Sequence, residues 1–242
     1  MSLERRSRNF YPVVLIVGAM LVIFIALAML YLLERLSEEQ DTETPLVILS
    51  VLGPEAEPDN EGWRPLFNGH TLTGWEVTNF GPQGPVVIRD SAIILNFGDG
   101  PTGITWTKEF PEINYEISLE AKRVDGNDFF CGLTFPVHDE HCTFIAGGWG
   151  GSLVGISSID GQDAFENYTG TRFPFENGRW YHIRIMVDAG TIKCYIDGDE
   201  IVSVPVQQHT FSVRSEVGLS RPLGIATWFT TAAIRNIRYR DI

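Results

Sequence analysis

Five carboxylates in two glycine-bearing stretches are the residues best suited to chemistry: Asp125 and Asp128 in VDGNDF, and Asp160, Asp163 and Glu166 in SIDGQDAFENYTGTR. Paired carboxylates cleave glycosidic bonds, at about 5–5.5 Å apart when configuration is retained and about 6.5–9.5 Å when it is inverted. A keto-sugar could instead be opened by a base working with a metal that polarises the carbonyl. If both loops lie on one face of the domain they form an acidic pocket or a calcium site, with Asp128, Asp160 and Asp163 as the catalytic candidates. Neither stretch has the spacing of an EF-hand, and Asp-Gly and Asn-Asp are ordinary turn pairs. No residue is therefore assigned as a metal ligand, and the cofactor stays unassigned, a divalent cation such as calcium being one candidate.

Sugar recognition needs flat apolar faces for C–H stacking and polar side chains for hydroxyls. Trp149, within GGWGGS, has glycine neighbours that leave its ring accessible; Asn167, Arg172 and Arg221 are the polar binding candidates. Trp228 lies with Arg172 and Arg221 at later loop or strand ends, and most of Trp75, Trp106, Trp180 and Trp228 are expected in the core. His138-Asp139-Glu140-His141 reads as a solvated hairpin loop, because four adjacent residues rarely converge on one ion. His182 has the opposite parity to Tyr181, Ile183 and Ile185, which points it to the other sheet face, either solvent or a groove.

Three cysteines make an odd set. With the His138–His141 tetrapeptide as the loop, Cys142 faces Val137 and Cys131 lies about six residues along the partner strand, near 20 Å away at about 3.3 Å per residue. Cys194 shares the apolar parity of Ile192 and Ile196. All three read as buried thiols.

These residues must be positioned by β-structure. From Trp63 onward short alternating segments are separated by turn signals, and none has a sustained helical period. Ile113, Tyr115, Ile117 and Leu119 share one parity, as do Tyr181, Ile183, Ile185 and Val187; Ala189-Gly190 turns the chain, and Asp197-Gly198 forms a tight hairpin turn. The fold class is mainly β, a two-sheet antiparallel jelly-roll sandwich, plus one N-terminal transmembrane α-helix.

That helix is Phe10–Leu33, about 24 uncharged residues, or roughly 36 Å at 1.5 Å per residue, enough to cross a core of about 30 Å with some tilt. Arg5, Arg6 and Arg8 precede it, and Glu34, Glu38, Glu39, Asp41 and Glu43 follow, so residues 1–9 belong in the cytoplasm and the rest outside. Ala26-Leu27-Ala28 imitates a signal cleavage site, but the apolar run continues past it, which favours an uncleaved anchor. Residues 34–60 form an acidic linker containing the apolar run LVILSVL, and 61–242 the β domain. The chain carries 18 Lys and Arg against 31 Asp and Glu, a net charge of −13. Such charge repels nucleic acid and anionic headgroups.

The segment Trp63-Arg64-Pro65-Leu66-Phe67-Asn68-Gly69-His70-Thr71-Leu72-Thr73-Gly74-Trp75 resembles the opening LFNGKDLSGW pattern of the 3-keto-disaccharide hydrolase family, and AAIRNIRYRDI is similar to its closing strand. GRWYHIRI and IKCYIDGDEIV between them resemble the strand–turn–strand of concanavalin A-like, laminin-G-like domains. The resemblance covers about 61–242 and implies a jelly roll, usually bacterial and extracytoplasmic, tied to glycan binding or cleavage. It also implies an Asn-Ser-Gly run, where this chain has Cys131 for the serine, and a strand glutamate, where it has threonine and isoleucine; Asp160 would stand for a later acid.

Two functions follow as expectations. One is a saccharide-binding and glycoside-cleaving domain displayed outside the bacterial cytoplasmic membrane. The other is a non-catalytic subunit of a membrane complex, its helix docked on partner subunits through small residues such as Gly18, Ala19, Ala26 and Ala28.

Overall fold

The computed structural model describes residues 57–242, together with the isolated position Met29. The expected transmembrane segment 10–33 and the apolar run LVILSVL lie outside the described residues; among the described ones no helix is long and apolar enough to cross a membrane.

Among the described residues fifteen strands follow in order. β1 (Arg64–Pro65), β2 (Trp75–Val77), β3 (Val86–Arg89), β4 (Ala92–Leu95) and β5 (Pro101–Trp106) precede the long β6 (Tyr115–Gly126). Then come β7 (Cys131–Val137), β8 (Glu140–Gly147), β9 (Leu153–Ser157) and β10 (Thr171–Arg172). β11 (Tyr181–Val187), β12 (Thr191–Ile196), β13 (Asp199–Pro205), β14 (Gly224–Trp228) and β15 (Thr230–Asp241) complete the domain. One sheet runs β13-β12-β11-β6-β15-β4-β3, with β1 on β15; the other runs β10-β9-β8-β7-β14-β5-β2. The registered pairings are antiparallel.

Alternation puts Ile117, Leu119 and Ala121 of β6 and Ile183, Ile185 and Val187 of β11 on the inner face of the first sheet. They meet Leu133 and Phe135 of β7, Phe144 of β8 and Ile225 of β14 in one dry core. Burying each such aliphatic or aromatic side chain stabilises the fold by about 1.5–3 kcal/mol.

The opening motif has a structural explanation. Asn68 Oδ1 accepts the backbone N–H groups of His70 and Thr71, and Trp75 Nε1 donates to the Leu66 carbonyl at 2.7 Å, stapling the loop shut. Gly74 has φ +82°, and a Cβ there would come 2.5 Å from the Trp106 ring. Trp75 and Trp106 pack edge to face with centroids 5.1 Å apart. Both are core, as expected.

Three expectations need correction. The β7–β8 hairpin closes with only His138 and Asp139 in the turn; Glu140 pairs Val137 and Cys142 faces Phe135, so the loop is two residues shorter than the sequence suggests. His138 takes a left-handed φ of 55°, which makes the tight turn possible. Trp180 and Trp228 are both half-buried rather than in the core. Trp180 lies against the cations of Lys122 and Arg235, whose side chains stand 4.6 and 4.1 Å from its ring centroid.

All three cysteines are buried and free. Burial pushes the Cys131 thiol up to about 12. A thiol held there stays protonated at physiological pH.

Candidate functional site

The outer face of the second sheet carries a cleft of about 270 Å³. Its floor is Thr143 and Ile145 of β8, Ser157 of β9 and the ring of Phe129. Gly132 of β7 lets that ring lie on the sheet, since a Cβ there would sit 3.0 Å from it. The walls come from three loops: Asp128 before β7, Trp149 after β8, and Arg214, Glu216 and Val217 at the start of the short 3-10 turn Ser215–Ser220. Trp228, on the outward parity of β14, closes the far side.

Trp149 occupies the glycine-rich turn Gly148–Gly151 with φ 46° and ψ 61°, left-handed values that bulky residues rarely adopt. Flanking Gly147, Gly150 and Gly151 also have positive φ. The turn thus projects the indole to half exposure, with its ring stacked on Phe165 at 6.4 Å and 18°.

Asp128 is fixed by the same turn. Its carboxylate accepts N–H groups from Phe129, Trp149 and Gly150. Partial burial nevertheless dominates and holds its pKa above the usual carboxylate range. Glu216 has the opposite character. Hydrogen bonding from Arg214, 2.8 Å away, brings it to about 2. The cleft therefore holds one carboxyl that keeps its proton to higher pH and one that stays ionised.

Asp163 joins this cluster through Arg214, which it meets at 2.7 Å. The two acidic loops therefore do converge, with Asp128 lining the cleft and Asp163 bracing the arginine behind its rim. Asp160 lies outside the cleft lining: it pairs with His209 Nδ1 at 2.7 Å and accepts the N–H of Thr210. Asn167 is inside its own loop, donating to the carbonyls of Ile156 and Gln162 and accepting from the N–H and hydroxyl of Thr169. Its amide has nothing free for a hydroxyl. Arg172 donates to Ser152 Oγ and Arg221 to the Gly218 carbonyl; both are exposed and neither lines the cleft.

Arg214, Glu216 and Trp228 are the site residues that sequence reasoning missed. The first two sit in an irregular polar stretch with no local signature. Trp228 had one: Leu223 and Ile225 face inward, so parity turns Ala226 and Trp228 outward.

Ser157 is buried, faces the cleft, and its Oγ has no hydrogen-bond partner. Such an atom is costly unless a ligand or water satisfies it. Among the described residues no group of three or more His, Cys, Asp or Glu side chains is arranged to hold a metal ion. His182 lies on the outer face of the first sheet, its Nε2 at 2.8 Å from Ser118 Oγ, in a separate cavity of about 300 Å³ shared with Glu120 and Arg238.

A β-sandwich with an aromatic-walled, carboxylate-bearing cleft on one sheet defines the class. The chain belongs to the 3-keto-alpha-glucoside-1,2-lyase-like domain family, whose model matches residues 62–240. No curated protein matches it. Among solved structures it is similar to the Crh5 transglycosylase in complex with NAG, at 13% identity and TM-score 0.53, covering 78% of this chain and 88% of that one. A Bacillus subtilis protein of unknown function with a galectin-like fold matches at 10% identity and TM-score 0.50, covering 77% and 97%. The carbohydrate binding module CBM66 from Bacillus subtilis matches at 16% identity and TM-score 0.48, covering 69% and 96%. At these identities the likeness to the first two shows the fold alone.

Proposed function

We propose that the cleft binds a saccharide between Trp149 and Trp228 and that Asp128 carries the proton in any cleavage of its glycosidic bond. The observation that carries this reading is the pair of half-exposed indoles flanking a carboxyl whose pKa is raised, in a cleft with an unpartnered serine hydroxyl at its floor. Indoles supply faces for sugar C–H groups. Arg214 and Glu216 supply hydrogen bonds to hydroxyls. Family membership points the same way. A 1,2-lyase removes the proton from carbon 2, beside the 3-keto group, and breaks the bond from carbon 1 to the bridging oxygen, which leaves with a proton. Asp128 accepts the first proton and returns it to the leaving oxygen.

The domain is held outside the bacterial cytoplasmic membrane by residues 10–33, on the strength of the arginines before that segment and the acids after it. The test has two parts. The full chain is assayed for retention of keto-glucosides and linear glycans, with Trp149→Ala and Trp228→Ala expected to weaken retention at least tenfold. Protease treatment of spheroplasts should then digest the β domain and leave the N-terminus intact. Absence of glycan retention, together with co-purification of other membrane proteins at fixed stoichiometry, would replace this reading with the accessory-subunit one.

A further inference from the structure

The cleft does not end at Trp228. Its ring stacks on Phe129 at 6.4 Å and 24° and meets Phe229 edge to face at 5.1 Å, and Phe229 packs against Phe97 at 5.8 Å. Three centroid steps thus carry an aromatic run out of the cleft and onto the edge where Phe97 follows β4. Phe229 and Phe97 are 39% and 51% exposed, whereas the core aromatics of the same domain are closed off. Across the cleft, Trp149 continues onto Phe165, which is 61% exposed.

Backbone conformation is a second, independent sign. Among the described residues, the left-handed non-glycine positions are Asp, Asn, Ser or His, apart from two. Those two are Trp149 at φ 46° and Phe229 at φ 41°, one on each side of the cleft. A bulky side chain at positive φ is strained, and such strain persists where the surrounding structure imposes it, commonly at ligand sites. Here it turns two rings toward solvent, against the burial that their hydrophobic surface favours. Phe97 is tethered beside Phe229, its N–H donating to Thr231 Oγ1 at 3.0 Å.

We infer that the ligand is a linear glycan of several units rather than a lone disaccharide, with one sugar in the cleft and further units stacked along Phe229 and Phe97. The inference rests on the saccharide reading of the cleft and deepens it. The rings turn by 88° from Trp228 to Phe229 and by 52° from Phe229 to Phe97, so they offer successive separate apolar contacts along a chain rather than one platform. The run continues from the cleft that the saccharide reading fills, and on that continuity the occupant is a glycan chain.

The test uses the full chain on a printed array of linear glycans graded from one to six units, alongside Phe97→Ala, Phe229→Ala and the Phe229→Tyr control. Wild-type retention should rise about tenfold from two units to four. Phe97→Ala and Phe229→Ala should flatten that rise while leaving the shortest retained glycan bound as before, and Phe229→Tyr should keep it. Phe97 is half-exposed at an ordinary backbone angle, so its variant does not hazard the fold. Retention that is equal at two and six units overturns the extended run and leaves the cleft reading standing. Retention of no glycan, with folded protein, overturns both.

Discussion

Arg123 and Gly151 constrain one another: Arg123 Nη1 donates to the Gly151 carbonyl at 3.0 Å, and a Cβ on Gly151 would lie 2.8 Å from that same nitrogen. The guanidinium also donates to the Phe175 carbonyl at 3.2 Å and to Asn177 Oδ1 at 2.6 Å, and it stands 5.6 Å from the Phe130 ring centroid. Arg123 is thus a buried cation held by neutral oxygens, which ties the turn carrying Trp149 to the segment that leads into β11. Burial lowers its pKa, yet an arginine stays charged at any physiological pH.

Arg123→Met should leave three oxygens without donors and cost about 3 kcal/mol, a fall in Tm of about 6–12 °C by calorimetry. Arg123→Lys should recover only part of this, because one ammonium cannot reproduce the planar fork. Full recovery by lysine would show that charge alone, and not the three-way geometry, holds the turn.

Trp149 separates stability from binding. At φ 46° a glycine is free of the steric cost that an L side chain meets, roughly 1–2 kcal/mol. Trp149→Gly forfeits the stack on Phe165, a contact of similar size. Urea unfolding should therefore place this variant within about 1 kcal/mol of wild type, while glycan retention falls at least tenfold. A large loss of stability would make the indole a structural element.

Much of the sandwich was legible because alternation and turn chemistry are local. The β11–β12 pair and the turn at Asp197-Gly198 follow from parity and from two residues that accept positive φ, here 52° and 94°. The β7–β8 turn misled because no glycine or asparagine marks His138 as left-handed. Within the site, Asp128, Trp149 and Asp163 stood out for their glycine-bearing loops, whereas Arg214 meets Asp163 across 51 residues of chain. A contact at that separation leaves no spacing to read. Asn167 and Asp160 look like their functional counterparts in sequence and differ only in what already occupies their polar atoms.

Glu216 predicts a dependence at low pH. Its folded pKa, about 2, lies below the ordinary carboxylate value, with the hydrogen bond from Arg214 as the largest cause. A depressed carboxylate adds stability that is fully present above the unfolded pKa, about 4.5, and is lost as pH falls toward 2. The difference in urea midpoint between wild type and Glu216→Gln should shrink steadily from pH 5 to pH 2. A difference that stays constant over that range would mean Arg214 does not hold the carboxylate in solution.

Asp128 works with the reverse sign. Burial raises its pKa, the folded state binds the proton more tightly than the unfolded chain, and ionisation opposes folding. The contribution is present below the unfolded carboxylate range and is lost as pH rises through the folded pKa, so wild type should lose ground to Asp128→Asn as pH climbs above about 4. The three N–H bonds from Phe129, Trp149 and Gly150 limit the size of the effect, since an amide oxygen keeps only part of what a carboxylate accepts. Cleavage of a keto-glucoside provides the sharper readout. The wild-type rate should show a limb above the ordinary carboxylate range, and Asp128→Asn should abolish turnover by at least a hundredfold while retaining the ligand. Turnover in the variant with the limb intact would move the proton transfer to another group.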